Sequence, residues 1–259
     1  MEWMDRVASD LPLFLLTGVR VAGLLFLAPV FGQKSLPPVH RIWMVLLLSL
    51  LLLPAIGSQE LAGISGIGFV PVVASELAVG LLLGFSVLLF LESAKFAGRL
   101  AGVHIGFGLA SIVDPVTKEQ GTLLDQLQGM MVLVLFVTMG GHRMLLQALG
   151  DSYSMVPIGQ AQIPASLAEG IVRVFCRTIV LGIQIAMPVL ASVFLTEIAI
   201  GIVAKGVPQL NIFTIGLPLR IVVGSLAFTV TLPVFISLMR RVINGIPVEL
   251  HGLLQLMRP

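Results

Sequence analysis

Residues 44–53 are leucine and valine broken only by Met44 and Ser49, and similar apolar runs recur along most of the chain. Stretches at 11–31, 42–56, 68–91, 127–149 and 212–239 read as five candidate helices, and a longer one at 171–204 holds a sixth. A helix that crosses the hydrocarbon core needs about 20 mostly apolar residues. The second stretch is short for a span, and Pro188 is expected to kink the sixth helix. Only 11% of the 259 residues are charged and 57% are hydrophobic, against roughly 25% charged in a soluble domain. A globule of this size could not cover such a core with so few charges. The sequence therefore predicts an all-α membrane protein of about six long hydrophobic helices. A β-barrel would show short alternating segments instead.

The net charge is +2, and its 15 basic and 13 acidic residues are scattered. No basic stripe interleaved with aromatics points to nucleic acid. Cys176 is the only cysteine, so no intrachain disulfide and no cysteine metal site can form, and a packed thiol is expected there. The N-terminus, Met1-Glu2-Trp3-Met4-Asp5-Arg6, lacks the basic region of a cleaved signal and reads as retained. An outside N-terminus puts Lys34, Arg41, Lys95, Arg99, Lys118 and Lys205 in inside loops, as the positive-inside rule asks. Six crossings then leave Arg240, Arg241 and Arg258 outside, where they fit badly. Charge counting leaves the topology open.

Three features inside this pattern carry information. Ala94, Gly98, Gly102 and Gly106 are spaced four apart, broadened by Ala97 and Ala101. On a helix they form a smooth small-residue stripe that lets another backbone approach closely. The stripe packs either against a helix of its own chain or against a neighbouring subunit. Arg20, Glu76, Arg173, Arg177, Glu197 and Arg220 lie within apolar stretches, where each charge must face protein or water. Internal salt bridging is the preferred reading over an ion path, because no relay of carboxylates and histidines is visible. Finally, the connector at 92–125 contains Gly106-Phe107-Gly108-Leu109-Ala110-Ser111-Ile112-Val113-Asp114-Pro115. Asp114-Pro115 imposes extended or turn geometry. A loop this apolar either re-enters the protein and lines or obstructs a cavity, or is a helix-linking turn packed in a core.

Catalytic motifs of the H-E-x-x-H, G-x-S-x-G and P-loop kinds are absent from the sequence. His40, His104, His142 and His251 are too dispersed to suggest a ligand set, and His142 is expected to stabilise a helix end after Gly140-Gly141. Met130, Met131, Met139 and Met144 read as fillers of a tight apolar core or pore, core being the commoner use. No catalytic residue, metal ligand or cofactor site is expected, and the chain reads as a non-enzyme.

The run 102–115 with Gln120, the Gly141-His142 pair, Asp151-Ser152-Tyr153 to Pro157-Ile158-Gly159, and above all Gly206-Val207-Pro208-Gln209-Leu210-Asn211-Ile212-Phe213 with Gly216-Leu217-Pro218-Leu219-Arg220 resemble the FliR family. The resemblance covers essentially the whole chain. It implies a single export-gate domain over 1–259, with a FliP-like part at about 1–170 and a FliQ-like hairpin and tail at about 171–259. It implies a subunit of the flagellar type III export gate, in the bacterial inner membrane and the flagellar basal body. That gate is assembled with FliP and FliQ, contacts FlhB and membrane lipid, and passes unfolded flagellar proteins. It also implies a pore plug formed by Gly106, Phe107, Gly108, Leu109, Ile112, Val113, Asp114 and Pro115. Subunit packing is expected at Ala94, Gly98 and Gly102, and a cytoplasmic turn at Pro208, Gln209 and Asn211. The alternative is a self-contained six-helix secondary transporter, which would show an internal inverted repeat with paired broken helices; no convincing one is found.

Overall fold

The structure is a computed structural model and describes residues 2–29, 37–56, 68–108, 121–206 and 212–258. Among the described residues seven helices and no strands occur: α1 (Glu2–Leu27), α2 (Pro38–Ile56), α3 (Phe69–Ile105), α4 (Leu123–Thr138), α5 (Gly141–Met155), α6 (Ala165–Gly206) and α7 (Ile212–Leu256). α3, α6 and most of α7 are long and apolar enough to cross a membrane, and an α4–α5 pair counted as one span would make a fourth. The all-α membrane class follows directly from the apolar runs.

Local expectations are corrected at Gly140, His142, Cys176 and Met130. The stretch 127–149 is not one helix, because Gly140 takes a left-handed φ of 74° between α4 and α5, a conformation that glycine adopts at little cost. His142 consequently lies in the first turn of α5, where the helix dipole does not favour a cation. Pro188 lies inside α6, which runs from Ala165 to Gly206. Cys176 and Met130 are exposed rather than packed in a core.

The chain divides into two compact units, Met1–Leu89 with Gly140–Val174 and Asn244–Pro259, and Phe90–Met139 with Phe175–Ile243. Both are assembled from separated segments of the sequence. In the first unit α1 packs on α2, and α2 on α5. Leu16, Leu24, Leu83, Leu145, Leu149 and Leu250 are fully buried there. Glycines bring α1 and α3 together: a Cβ on Gly84 would lie 2.7 Å from Leu24 O, one on Gly23 would lie 2.9 Å from Leu77 O, and one on Gly80 would overlap Arg20 O.

The second unit has its core at Ala101, Ile105, Leu124, Val189, Val193 and Phe228. α4 begins with a capping box, in which the Thr122 hydroxyl accepts from Asp125 N and the Asp125 carboxylate accepts from Thr122 N. α3 ends at Gly106, whose φ is 112°. Phe107 N–H donates to Gly102 O at 2.9 Å and Gly106 N–H to Val103 O at 3.1 Å. That bond pair is a Schellman cap, which requires a left-handed residue at the position Gly106 fills.

Candidate functional site

Arg20 on α1 and Glu76 on α3 are both fully buried. Their side chains meet at 2.6 Å between Nε and Oε2. A buried guanidinium must satisfy its other donors as well. Arg20 Nη1 donates to Ser152 Oγ at 3.1 Å and Nη2 to Val156 O at 3.0 Å. The same guanidinium lies 4.4 Å from the centre of the Tyr153 ring, within cation–π range. The second Glu76 oxygen accepts from Gly159 N–H at 3.0 Å, and Gly159 has a left-handed φ of 78°. Tyr153 donates from its hydroxyl to Thr17 O at 3.3 Å, which ties α5 back to α1.

One ion pair therefore fastens α1, α3, the last turn of α5 and the segment that follows it. Both charges are spent on fixed partners, so the cluster is a clamp that offers neither a free base nor a nucleophile. The motif Asp151-Ser152-Tyr153 to Pro157-Ile158-Gly159 acquires a physical role here, because Ser152, Tyr153, Val156 and Gly159 form the surround of Arg20 and Glu76. Sequence reasoning singled out the two charges but missed Ser152, Tyr153 and Gly159 as their partners. It also missed Gly80 and Gly84, although Glu76, Gly80 and Gly84 share the four-residue spacing of a helix face.

In the second unit Ala94 is fully buried. A Cβ on Gly98 would lie 2.6 Å from Asp125 Cα, and one on Gly102 would overlap the Thr122 side chain. The Thr122 hydroxyl also donates to Gly98 O at 3.3 Å. At Gly98 and Gly102 the stripe thus packs against the N-terminus of the chain's own α4. Arg99 contributes a further tie to Asp125 at 3.3 Å. Glu197 on α6 and Arg220 on α7 pair at 3.0 Å, each about one-third exposed. Four of the six charges expected to face protein are therefore neutralised in these two pairs, and Arg173 is exposed.

Of the connector residues, Gly106 forms the α3 cap, Phe107 packs against the second unit's core and Gly108 is half-buried. Leu109, Ile112, Val113, Asp114 and Pro115 lie outside the described residues, as do Pro208, Gln209 and Asn211. Among the described residues no group of His, Cys, Asp and Glu could hold a metal ion.

Membrane-length helices with buried charges neutralised inside the chain define a polytopic helical membrane protein. Residues 11–246 match the model of the family described as bacterial export proteins, family 1. The flagellar biosynthetic protein FliR of Bacillus subtilis (strain 168) is 30% identical over 245 residues, which cover 93% of this chain and 94% of that protein. Its counterpart in Aquifex aeolicus (strain VF5) is 26% identical, covering 89% of this chain and 90% of that protein. That of Escherichia coli (strain K12) is 25% identical, covering 86% and 84%. The chain belongs to this family of bacterial export proteins, as a membrane-embedded component of flagellar biosynthesis.

Proposed function

We propose that the chain is a non-enzymatic pore subunit of the flagellar type III export gate in the bacterial inner membrane. In this reading it assembles with FliP and FliQ subunits, contacts FlhB, and helps enclose the path taken by unfolded flagellar proteins. The observation that carries the reading, beside family membership, is the amount of apolar surface left without an intrachain partner. Only 33% of the most apolar window of α6 and 17% of that of α7 is buried within the chain. Apolar surface on this scale must be covered by lipid or by other subunits, and an export component supplies a reason for subunits. The part at about 1–170 would be the FliP-like wall and the part at about 171–259 the FliQ-like hairpin. Pro208, Gln209 and Asn211 would form that hairpin's cytoplasmic turn.

The segment 106–120 would close the resting pore. An export channel must pass an unfolded chain yet hold back ions, and an apolar constriction can do so by dewetting. Phe107, Leu109, Ile112 and Val113 supply apolar bulk, while Gly106 and Gly108 let the segment leave the end of α3 sharply. Deleting Gly108 to Val113 should leave a complex with FliP and FliQ homologues assembled but leaky, as measured by dye efflux from vesicles containing it. An assembled, ion-tight deletion complex would overturn the plug, and a complex that no longer forms would assign the segment to packing instead.

A further inference from the structure

Gln128 on α4 is 3% exposed, and its Oε1 has no hydrogen-bond partner in the chain. A buried amide in that state has lost its bonds to water and gained nothing in return. Such groups are few in folded proteins, and each one asks for a partner. Gln128 forms part of the wall of a cavity of about 20 Å³ within the second unit. Ala101 on α3, Gln184, Ala186 and Pro188 on α6, and Thr231 and Phe235 on α7 contribute to the rest. The cavity therefore lies where α4 meets the α6–α7 pair, and no charged side chain among the described residues lines it.

The wall presents acceptors. Pro188 has no N–H to give the Gln184 carbonyl one turn earlier. The Thr231 hydroxyl commits its proton to Phe228 O at 3.0 Å, so it meets any further group as an acceptor. The last torsion of a glutamine is broad, and the Gln128 amide can turn its oxygen to the space. A ligand here must be small, uncharged and able to donate twice. Cavities lined only by apolar groups stay dry, whereas a polar one of at least about 10–15 Å³ holds a water. At about 20 Å³ this cavity has room for one.

We propose that the cavity is a binding site for one ordered water, whose two protons go to Gln128 Oε1 and the Gln184 carbonyl. The water ties α4 to α6 against the wall that α7 provides. Ala101, Val189 and Phe228 belong both to that wall and to the core of the second unit. The site is thus a polar joint at the edge of an otherwise apolar core, and it gives the buried Gln128 a role that packing alone does not. It does not depend on the pore reading, and it leaves the outer faces of α6 and α7 to other subunits.

Hydroxyl-radical footprinting by X-ray radiolysis tests the site, because radicals formed from a held water oxidise the side chains beside it. Phe235 lines the cavity and is 4% exposed, whereas Phe136 on α4 is fully buried and does not line it. In the purified full-length chain Phe235 should be oxidised several-fold faster than Phe136. Gln128→Leu removes the polar partner and Ala186→Val fills the space, so each should bring Phe235 down to the rate of Phe136. A slow Phe136 also shows that a variant is folded. Equal rates in the wild type, or a fast Phe235 in either folded variant, would overturn the water. So would a fast Phe235 that slows once FliP and FliQ homologues are bound, because a partner's side chain would then fill the cavity.

Discussion

Arg20→Ala should remove most of the folded chain from the membrane. The substitution leaves Glu76 fully buried without its counter-ion, and breaking a buried pair from one side costs about 3–5 kcal/mol. Folded domains hold only about 5–15 kcal/mol in total, so one such loss consumes a large share. The Ser152 hydroxyl and Val156 carbonyl would also lose their donor. Replacing both charges, Arg20→Met with Glu76→Leu, should recover much of the loss because neither charge is then stranded. Membrane-inserted protein level and thermal midpoint in detergent measure both. If the double variant is no better than Arg20→Ala, the damage comes from lost contacts and not from a stranded charge. A normal level of Arg20→Ala would dismiss the clamp altogether.

Gly98→Leu and Gly102→Leu should be nearly as harmful, for a steric reason. The added side chain meets backbone at Asp125 in the first case and the Thr122 side chain in the second. Backbone cannot rotate out of the way as a flexible side chain can, so α4 must move off α3 and the Thr122–Asp125 cap must shift with it. Overpacking of this kind costs about 1–3 kcal/mol or more. Val103 is 56% exposed on the same helix, and Val103→Ala is the control. The glycine variants should lower the thermal midpoint of the chain purified on its own, without any partner subunit. If that midpoint is unchanged and only assembly with partners fails, the stripe is an assembly surface after all.

The membrane class and the apolar middle of each long helix were legible because they depend on apolar content, a local property, but α3 runs on to Ile105, through the first part of the expected connector, and α7 to Leu256. The family was legible because the Pro208-Gln209-x-Asn211-x-Phe213 segment and the residues around Tyr153 are specific in type and spacing. The break at Gly140 was hidden inside a continuous apolar run, since apolarity alone does not say whether a glycine keeps its helical φ. The partners of Arg20 were hidden for a different reason. Glu76, Ser152 and Gly159 are separated from it by long stretches of chain, and no period in the sequence links them. At Gly98 and Gly102 both readings of the stripe demanded the same small residues, so only a three-dimensional arrangement could show that α4 occupies those positions.

The central claim is that this chain works as one subunit of a hetero-oligomeric gate. Its most direct test is to express the chain with and without FliP and FliQ homologues, purify it through a tag on this chain, and weigh the products by native mass spectrometry. The account predicts a discrete complex containing all three kinds of subunit whenever the partners are present. A lone chain recovered in the presence of both partners would contradict it and would favour a self-contained transporter.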